Sequence, residues 1–321
     1  MKSFKNDVAV LFLFFARPEQ TKKVFAAIKE ARPSKLFLYQ DGPREGHNDM
    51  EGILACRKIV EDIDWECEVY KQFLEKNQGC DPSEYISQKW MFSIVDKGIV
   101  LEDDDVPSQS FFPFCKELLD RYENDQRINM ICGMNNLGTY DCGGADYFFT
   151  QTGSIWGWAS WKRVVDEWDP DYKYLADGYV MNALKDNYGK EFIGELVKTC
   201  KRHYSTGREH YETILGMNLL VEGRYNIVPA KNMISNIGIS ENSTHSVNNI
   251  EKLPRAIRNV LYMKTYNLSF PLKHPEYVVC DAIYKKKLET KMWGNRFVRK
   301  FKIRKIESFL YRHFPFLAKL K

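Results

Sequence analysis

Gly98-Ile99-Val100-Leu101-Glu102-Asp103-Asp104-Asp105 joins a short apolar run to four consecutive carboxylates, and the reading of that junction decides the fold. A β-branched run of this length reads as a buried strand. Its end would deliver the acids to the carboxyl edge of a sheet, where open α/β sheets bind ligands. Side-chain alternation along a continued strand would send Asp103 and Asp105 to one side, Glu102 and Asp104 to the other. Like charges about 4 Å apart repel by roughly 1 kcal/mol in water and about 4 kcal/mol at a partly buried edge, so four of them require a compensating cation. Mg²⁺ or Mn²⁺ suits that role, because hard ions take one or two protein carboxylates and complete their shells with phosphate and water. The stretch thus reads as a metal-diphosphate site, against the plainer reading of a solvated acidic turn before Pro107.

Upstream, apolar strand-like runs alternate with helix-like segments: Val8–Phe15 and Glu19–Ala31, Lys35–Gln40 and Asp49–Glu61, Glu66–Lys71 and Pro82–Asp96. Such alternation with short connections specifies an α/β fold, a mostly parallel sheet with helices on both faces. Two polar points fall at strand ends in this half, Arg17 and Asp41-Gly42. An arginine there offers a diphosphate a bidentate fork, and an aspartate accepts from a base or ribose donor, although Asp-Gly is also ordinary turn chemistry. Phosphate loops of the GxxxxGK type and the GxGxxG fingerprint are missing, which weakens the ordinary NTPase and dinucleotide readings.

Downstream, a helix (Gln109–Glu123) and a strand (Ile128–Gly133) give way to irregular sequence and the cluster Gly153-Ser154-Ile155-Trp156-Gly157-Trp158-Ala159-Ser160-Trp161. Tryptophans interleaved with glycine suit stacking on sugar faces or packing in a core, and composition alone leaves both open. Trp161, followed by Lys162-Arg163 and periodic apolar residues, is expected in a helix and the core.

Taken in order, these motifs resemble nucleotide-sugar-dependent glycosyltransferases of the GT-A (Rossmann-like) fold, nearest to the inverting β-1,2-N-acetylglucosaminyltransferase type and bacterial relatives carrying Trp-Gly-Trp and Ser-Asn-Ile-Gly. The resemblance runs over about residues 8–250. It implies that Arg17 approaches the donor diphosphate, that Asp41 contacts the nucleotide, that Glu102 and Asp103 contact donor sugar and ribose, and that Asp104 ligates Mn²⁺ or Mg²⁺. Trp156 and Trp158 would shape the acceptor side. Ser235-Asn236-Ile237-Gly238, followed by Ser243 and His245, resembles the loop that closes over bound donor. Where the family has Trp-Asp at a helix start, this chain has Tyr211-Glu212, so Glu212 is expected as general base. Glu209, three residues earlier and expected on the same helical face, is its rival. The implied reaction moves a sugar, from a uridine diphosphate donor, to a glycan or lipid-linked acceptor in surface polysaccharide synthesis. A nucleotidyltransferase and a non-catalytic sugar-binding module remain as alternatives.

With 321 residues, 44 % of them hydrophobic, the chain can bury a substantial core. The eight cysteines form no CxxC pair, which argues against structural zinc and a disulfide framework and for a reducing cytoplasm. Val8–Ala16 reads as a core strand rather than a signal peptide, since Asp7 precedes it and Arg17-Pro18 stands where a cleavage site would be. The run is also far shorter than the ~18 apolar residues of a membrane span. Charge is distributed unevenly. Residues 285–321 hold 13 Lys/Arg against 2 acids, a net +11, which leaves 34 basic and 41 acidic residues, a net −7, in the remainder. The expected organisation is a catalytic domain at 1–265, with a nucleotide-sugar half to about 135 and an acceptor half beyond it. A basic amphipathic segment at 266–321 would follow. Interleaved aromatics and cations suit the anionic inner face of a cell membrane. No zinc, RNP or helix-turn-helix signature supports nucleic acid.

Overall fold

A computed structural model describes residues 1–239 and 258–293. The central sheet has eight strands in the order β3-β2-β1-β4-β8-β6-β9-β7. They are β1 (Asn6–Phe14), β2 (Pro33–Gln40), β3 (Glu68–Phe73), β4 (Lys97–Glu102), β6 (Ile128–Cys132), β7 (Tyr147–Thr150), β8 (Trp158–Trp161) and β9 (Tyr225–Pro229). Strands β1 to β4 are parallel, β8 runs antiparallel between β4 and β6, and β7 closes the far edge antiparallel to β9. β5 (Asp105–Pro107) and β10 (Ile234–Asn236) form a separate antiparallel pair.

The continuous apolar run of β1 is the signature of a strand covered on both faces. Val8, Val10, Phe12 and Phe14 enter one core cluster, while Ala9, Leu11 and Leu13 enter the other. α1 (Pro18–Ala31) buries Thr21, Val24, Phe25, Ile28 and Ala31, the spacing of a single helical face. α2 (Met50–Val60) and α3 (Cys80–Ile94) complete the alternating half, and α4 (Phe111–Arg121) packs on β1 and β8. Register then sets the site. Leu13 of β1 lies beside Glu102 of β4, and Phe14 beside Gln40 of β2, so residues 14–17, 40–42 and 102–105 emerge at one edge.

Three expectations change here. The acids do not continue a straight strand, because β4 ends at Glu102 and residues 103–104 turn into β5, so alternation no longer separates Asp103 from Asp104. Trp161 is in the core, 2 % exposed, but it ends β8 and precedes α5 (Lys162–Val165) rather than lying in a helix. Residues beyond 265 begin as packed structure: Leu272 lies in one core cluster, and Tyr284 and Leu288 of α9 (Ala282–Trp293) lie in the other. Both clusters also draw on residues before and after 135. The basic remainder, 294–321, lies outside the described residues.

The chain between β8 and β9 forms α6 (Gly178–Tyr188), α7 (Lys190–Tyr204) and α8 (Tyr211–Val221). No helix among the described residues is long and apolar enough to cross a membrane.

Candidate active site

A cavity of about 530 Å³ opens at the carboxyl edge of β1, β2 and β4. Its wall includes Arg17 and Pro18 at the start of α1, Asp41 after β2, Cys80 and Glu84 in the first turns of α3, and Glu102 and Asp103 after β4. Proline 18 restricts the residue before it to extended conformations, so Arg17 stands outside the helix and turns its side chain to the acids.

Arg17 is the cation of the acidic turn. Its Nη2 donates to Asp103 Oδ1 and, at 2.9 Å, to Asp104 Oδ2, and its Nε reaches Asp103 Oδ2 at 3.3 Å. The Phe15 N–H also donates to Asp103 Oδ2, at 3.3 Å. Burial works against the guanidinium charge, but Asp103 and Asp104 outweigh it and hold Arg17 above its ordinary pKa. Asp104 is raised, first by burial and then by Asp103, with Arg17 and Asn236 opposing. Asp105 has no exposed surface and accepts from the Gly157 N–H at 2.9 Å and Asn236 Nδ2 at 3.1 Å. Its carboxyl is pushed well up by burial and by Asp104.

Asp41 is an organiser of the cavity wall. Its carboxylate accepts from the backbone N–H groups of Gly42, Gln78 and Gly79 and from Asn77 Nδ2, at 2.8 to 3.0 Å. Such a set of donors ties the loop after β3 to the end of β2. Gly42 permits that approach, since a Cβ there would lie 2.5 Å from the Lys76 backbone.

Glu84 was not distinguished by sequence. It sits one turn into α3, accepts from the Cys80 thiol at 3.4 Å, and faces the acids of the turn. Burial, then Glu212, Asp81 and Asp104, push its carboxyl up to about 8. Glu102 is raised well above the carboxylate range by burial and by Glu84, Asp105, Asp104 and Asp103. A glutamate in an amphipathic helix carries no sequence signal of this kind; its position one turn after the Gly79-Cys80 start of α3 becomes informative only with the cavity in view.

The other expected residues divide. Glu212 lies in the first turn of α8, exposed, and its charge reaches Glu84. The buried Tyr211 phenol beside it is raised by burial and then by Glu102, Glu84 and Glu212, which puts the start of α8 against the acidic cluster. Glu209 precedes the helix, which His210 caps, so the two glutamates do not share a helical face. Trp158 is fully buried in β8, packed toward Trp168 with ring centroids 6.5 Å apart, and offers no face to a sugar. Trp156 is half-buried against the other cluster. The segment between them serves the acidic turn through the Gly157 N–H. Ser235-Asn236-Ile237-Gly238 is strand β10 and its exit, paired to β5, and Ser243 and His245 lie outside the described residues.

Among the described residues, no group of three or more His, Cys, Asp and Glu side chains is arranged to hold a metal ion. The donor chemistry nonetheless fits a hard divalent cation held by one protein carboxylate: each Asp104 oxygen takes one hydrogen bond and retains a lone pair, and a bound diphosphate would supply further oxygens.

No protein-family model matches the chain, and no curated protein does. Among solved structures, it is similar to the mannosyltransferase PcManGT of Pyrobaculum calidifontis in complex with GDP-Man and Mn²⁺, at 8 % identity and TM-score 0.32, over 50 % of this chain and 47 % of that one. It is similar to the glycosyltransferase GlyE of Streptococcus pneumoniae TIGR4, at 12 % identity and TM-score 0.35, over 94 % of this chain and 64 % of that one. It is also similar to an apo UDP-glucose pyrophosphorylase, at 10 % identity and TM-score 0.35, over 71 % and 93 % of the two chains. The chain thus spans about half of the mannosyltransferase and under two thirds of GlyE. Likenesses this distant assign no activity and no residue.

Proposed function

We propose that this protein is a glycosyltransferase that moves a sugar from a nucleoside-diphosphate sugar to a hydroxyl acceptor. The observation that carries the reading is Arg17, which with Asp103 lines a cavity of about 530 Å³ at the carboxyl edge of the parallel strands and bridges Asp103 to Asp104. A diphosphate is anionic and a sugar is a polyol. The cavity offers a guanidinium and the N-termini of α1 and α3 to the first, and a set of carboxyl groups to the second.

Electrostatics supports this division. An anionic donor would be repelled by a fully charged Glu84-Glu102-Asp103-Asp104-Asp105 cluster. Burial and mutual repulsion raise Glu84 to about 8, so that carboxyl contributes little charge near neutral pH, and they push Glu102 and Asp105 in the same direction. Arg17 offsets part of the charge left on Asp103 and Asp104 and would stabilise negative charge on the departing diphosphate. Asp104 is the residue that would hold Mg²⁺ or Mn²⁺, and the ion would supply charge neutralisation to the same leaving group.

For an inverting transfer, the acceptor oxygen forms a bond to the anomeric carbon as the bond from that carbon to the diphosphate oxygen breaks. The acceptor proton goes to a base on the opposite face. Glu212, at the start of α8 across from the acidic turn, takes that role in this proposal, with Glu209 displaced from the shared face first expected of it. A glycan or lipid-linked acceptor, a uridine nucleotide and attachment to an anionic membrane through the basic C-terminal residues complete the reading.

Incubating the purified chain with a panel of nucleotide-sugars, with and without Mn²⁺, tests it. Release of nucleoside diphosphate supports the proposal. Consumption of nucleoside triphosphate with release of pyrophosphate would instead make the protein a nucleotidyltransferase, and stabilisation by a sugar without turnover would make it a binding module.

A further inference from the structure

Asp104 is held from two sides. Arg17 takes one carboxylate oxygen, Oδ2, at 2.9 Å, and Asn236 Nδ2 donates to the other, Oδ1, at 2.8 Å. The same amide donates to Asp105 Oδ1 at 3.1 Å, while its own Oδ1 accepts the Gly238 N–H at 3.0 Å. That last bond fixes which end of the amide faces the acids, because a backbone N–H requires the oxygen. Asn236 is 4 % exposed, stands opposite Asp105 in the β5–β10 pairing, and accepts the Tyr262 N–H on its carbonyl. One residue on, the Ile237 N–H donates to the Asp104 carbonyl at 2.8 Å. At Gly238 a Cβ would meet Asp104 Oδ2 at 2.3 Å, so this position has no room for a side chain.

We infer that Asn236 is a positioning residue of the transfer reaction, whose neutral amide orients the Asp104 carboxylate toward the bound donor and its cation. The inference rests on the reading of the site given above. A neutral donor suits the place. A second cation beside Arg17 would cancel the charge that Asp104 offers, and an apolar residue would leave two buried carboxylate oxygens short of a donor. The amide fixes direction and leaves charge available.

The test separates orientation from simple support of the backbone. In the full chain, Asn236→Ala removes both functions of the amide. Asn236→Asp keeps an oxygen for the Gly238 N–H but loses the donor and adds a repelling charge. Donor turnover is measured as separate kcat and KM values, and binding of Mn²⁺ alone is followed through the spectroscopic signal of the free ion, with circular dichroism as the folding control. Both variants should lose about 10–100-fold in kcat or Mn²⁺ affinity, the usual effect of removing a residue that orients a ligating group. Asn236→Asp should be at least as impaired as Asn236→Ala. Better function in Asn236→Asp than in Asn236→Ala would overturn the inference, since accepting from Gly238 would then be the role. Gly238→Ala, which keeps the Asn236 side chain but puts a Cβ 2.3 Å from Asp104 Oδ2 and 3.1 Å from Asn236 Oδ1, should lose function in the same direction, and wild-type behaviour there would count against an oriented Asp104. Wild-type Asn236→Asp with inactive Asp104→Ala would overturn the positioning role alone. Wild-type Asp104→Ala would overturn the reaction reading and the positioning role together.

Discussion

Replacing Glu84 by glutamine removes a carboxyl that titrates near its ordinary 4.5 in an unfolded chain and is pushed up to about 8 in the fold, by burial and then by its acidic neighbours. Between those values the native state holds a proton that the unfolded state has released, so Glu84 makes stability fall as pH rises. The slope reaches about 1.4 kcal/mol per pH unit for a single site, roughly 5 kcal/mol over the whole window. Glu84 borders an open cavity, and screening by solvent there reduces the expected difference to on the order of 2–3 kcal/mol. Glutamine keeps the shape of the neutral acid without the titration. Below pH 4.5 the two proteins should therefore have similar stability, and glutamine should pull ahead as pH rises through 8. Urea unfolding at a series of pH values between about 5 and 9 measures it, and the difference also includes the part of the Glu102 shift that Glu84 causes. Parallel stability profiles for the two proteins would refute the placement of Glu84 in a desolvated, like-charged site.

Other outcomes follow from the same geometry. Trp158→Ala should cost about 3–5 kcal/mol of stability, the range for deleting a buried aromatic; a near-native melting temperature with a raised acceptor KM would return Trp158 to a sugar-stacking role. Glu212→Gln should retain donor binding and lose transfer by about 10²–10⁴-fold, and a large loss in Glu209→Gln with none in Glu212→Gln would move the base off α8. Truncation after Trp293 should keep the melting temperature, since Tyr284 and Leu288 remain buried, and should abolish salt-sensitive pelleting with anionic vesicles. Truncation before Ala282 should destabilise, because each of those side chains buried contributes about 1.5–3 kcal/mol; equal pelleting of full-length and Trp293-truncated protein would contradict the membrane role.

The alternating half of the fold was legible because its strands are continuous apolar runs, and a run such as Val8–Phe14 has few ways to satisfy its burial other than a sheet covered on both faces. The second half was not. β7, β8 and β10 are four, four and three residues long, too short for periodicity to register, and their pairing is antiparallel to strands distant in sequence. The acidic junction announced itself through charge density, and Arg17 through its place at the end of the first strand. What the sequence concealed was direction. A turn at residues 103–104 puts Asp103 and Asp104 on the same arginine, whereas a straight strand would have parted them. Tryptophan content could not separate a sugar platform from a core, and Trp158 is core. Glu84 passed as an ordinary helix residue, and Asn236 as part of a loop closing over donor rather than a partner of Asp104, because their significance lies in the carboxylates they meet across the fold.

The most direct test of the central claim is the nucleoside diphosphate released from a nucleotide-sugar panel by the wild-type chain and by Asp104→Ala, each shown to be folded by circular dichroism. The account predicts release from at least one donor, stimulated by Mn²⁺ in the wild type and lost by about 10²-fold or more in the variant, as expected when a group stabilising the leaving phosphate is removed. Equal release by the two proteins, or release of pyrophosphate from a nucleoside triphosphate by both, would contradict it.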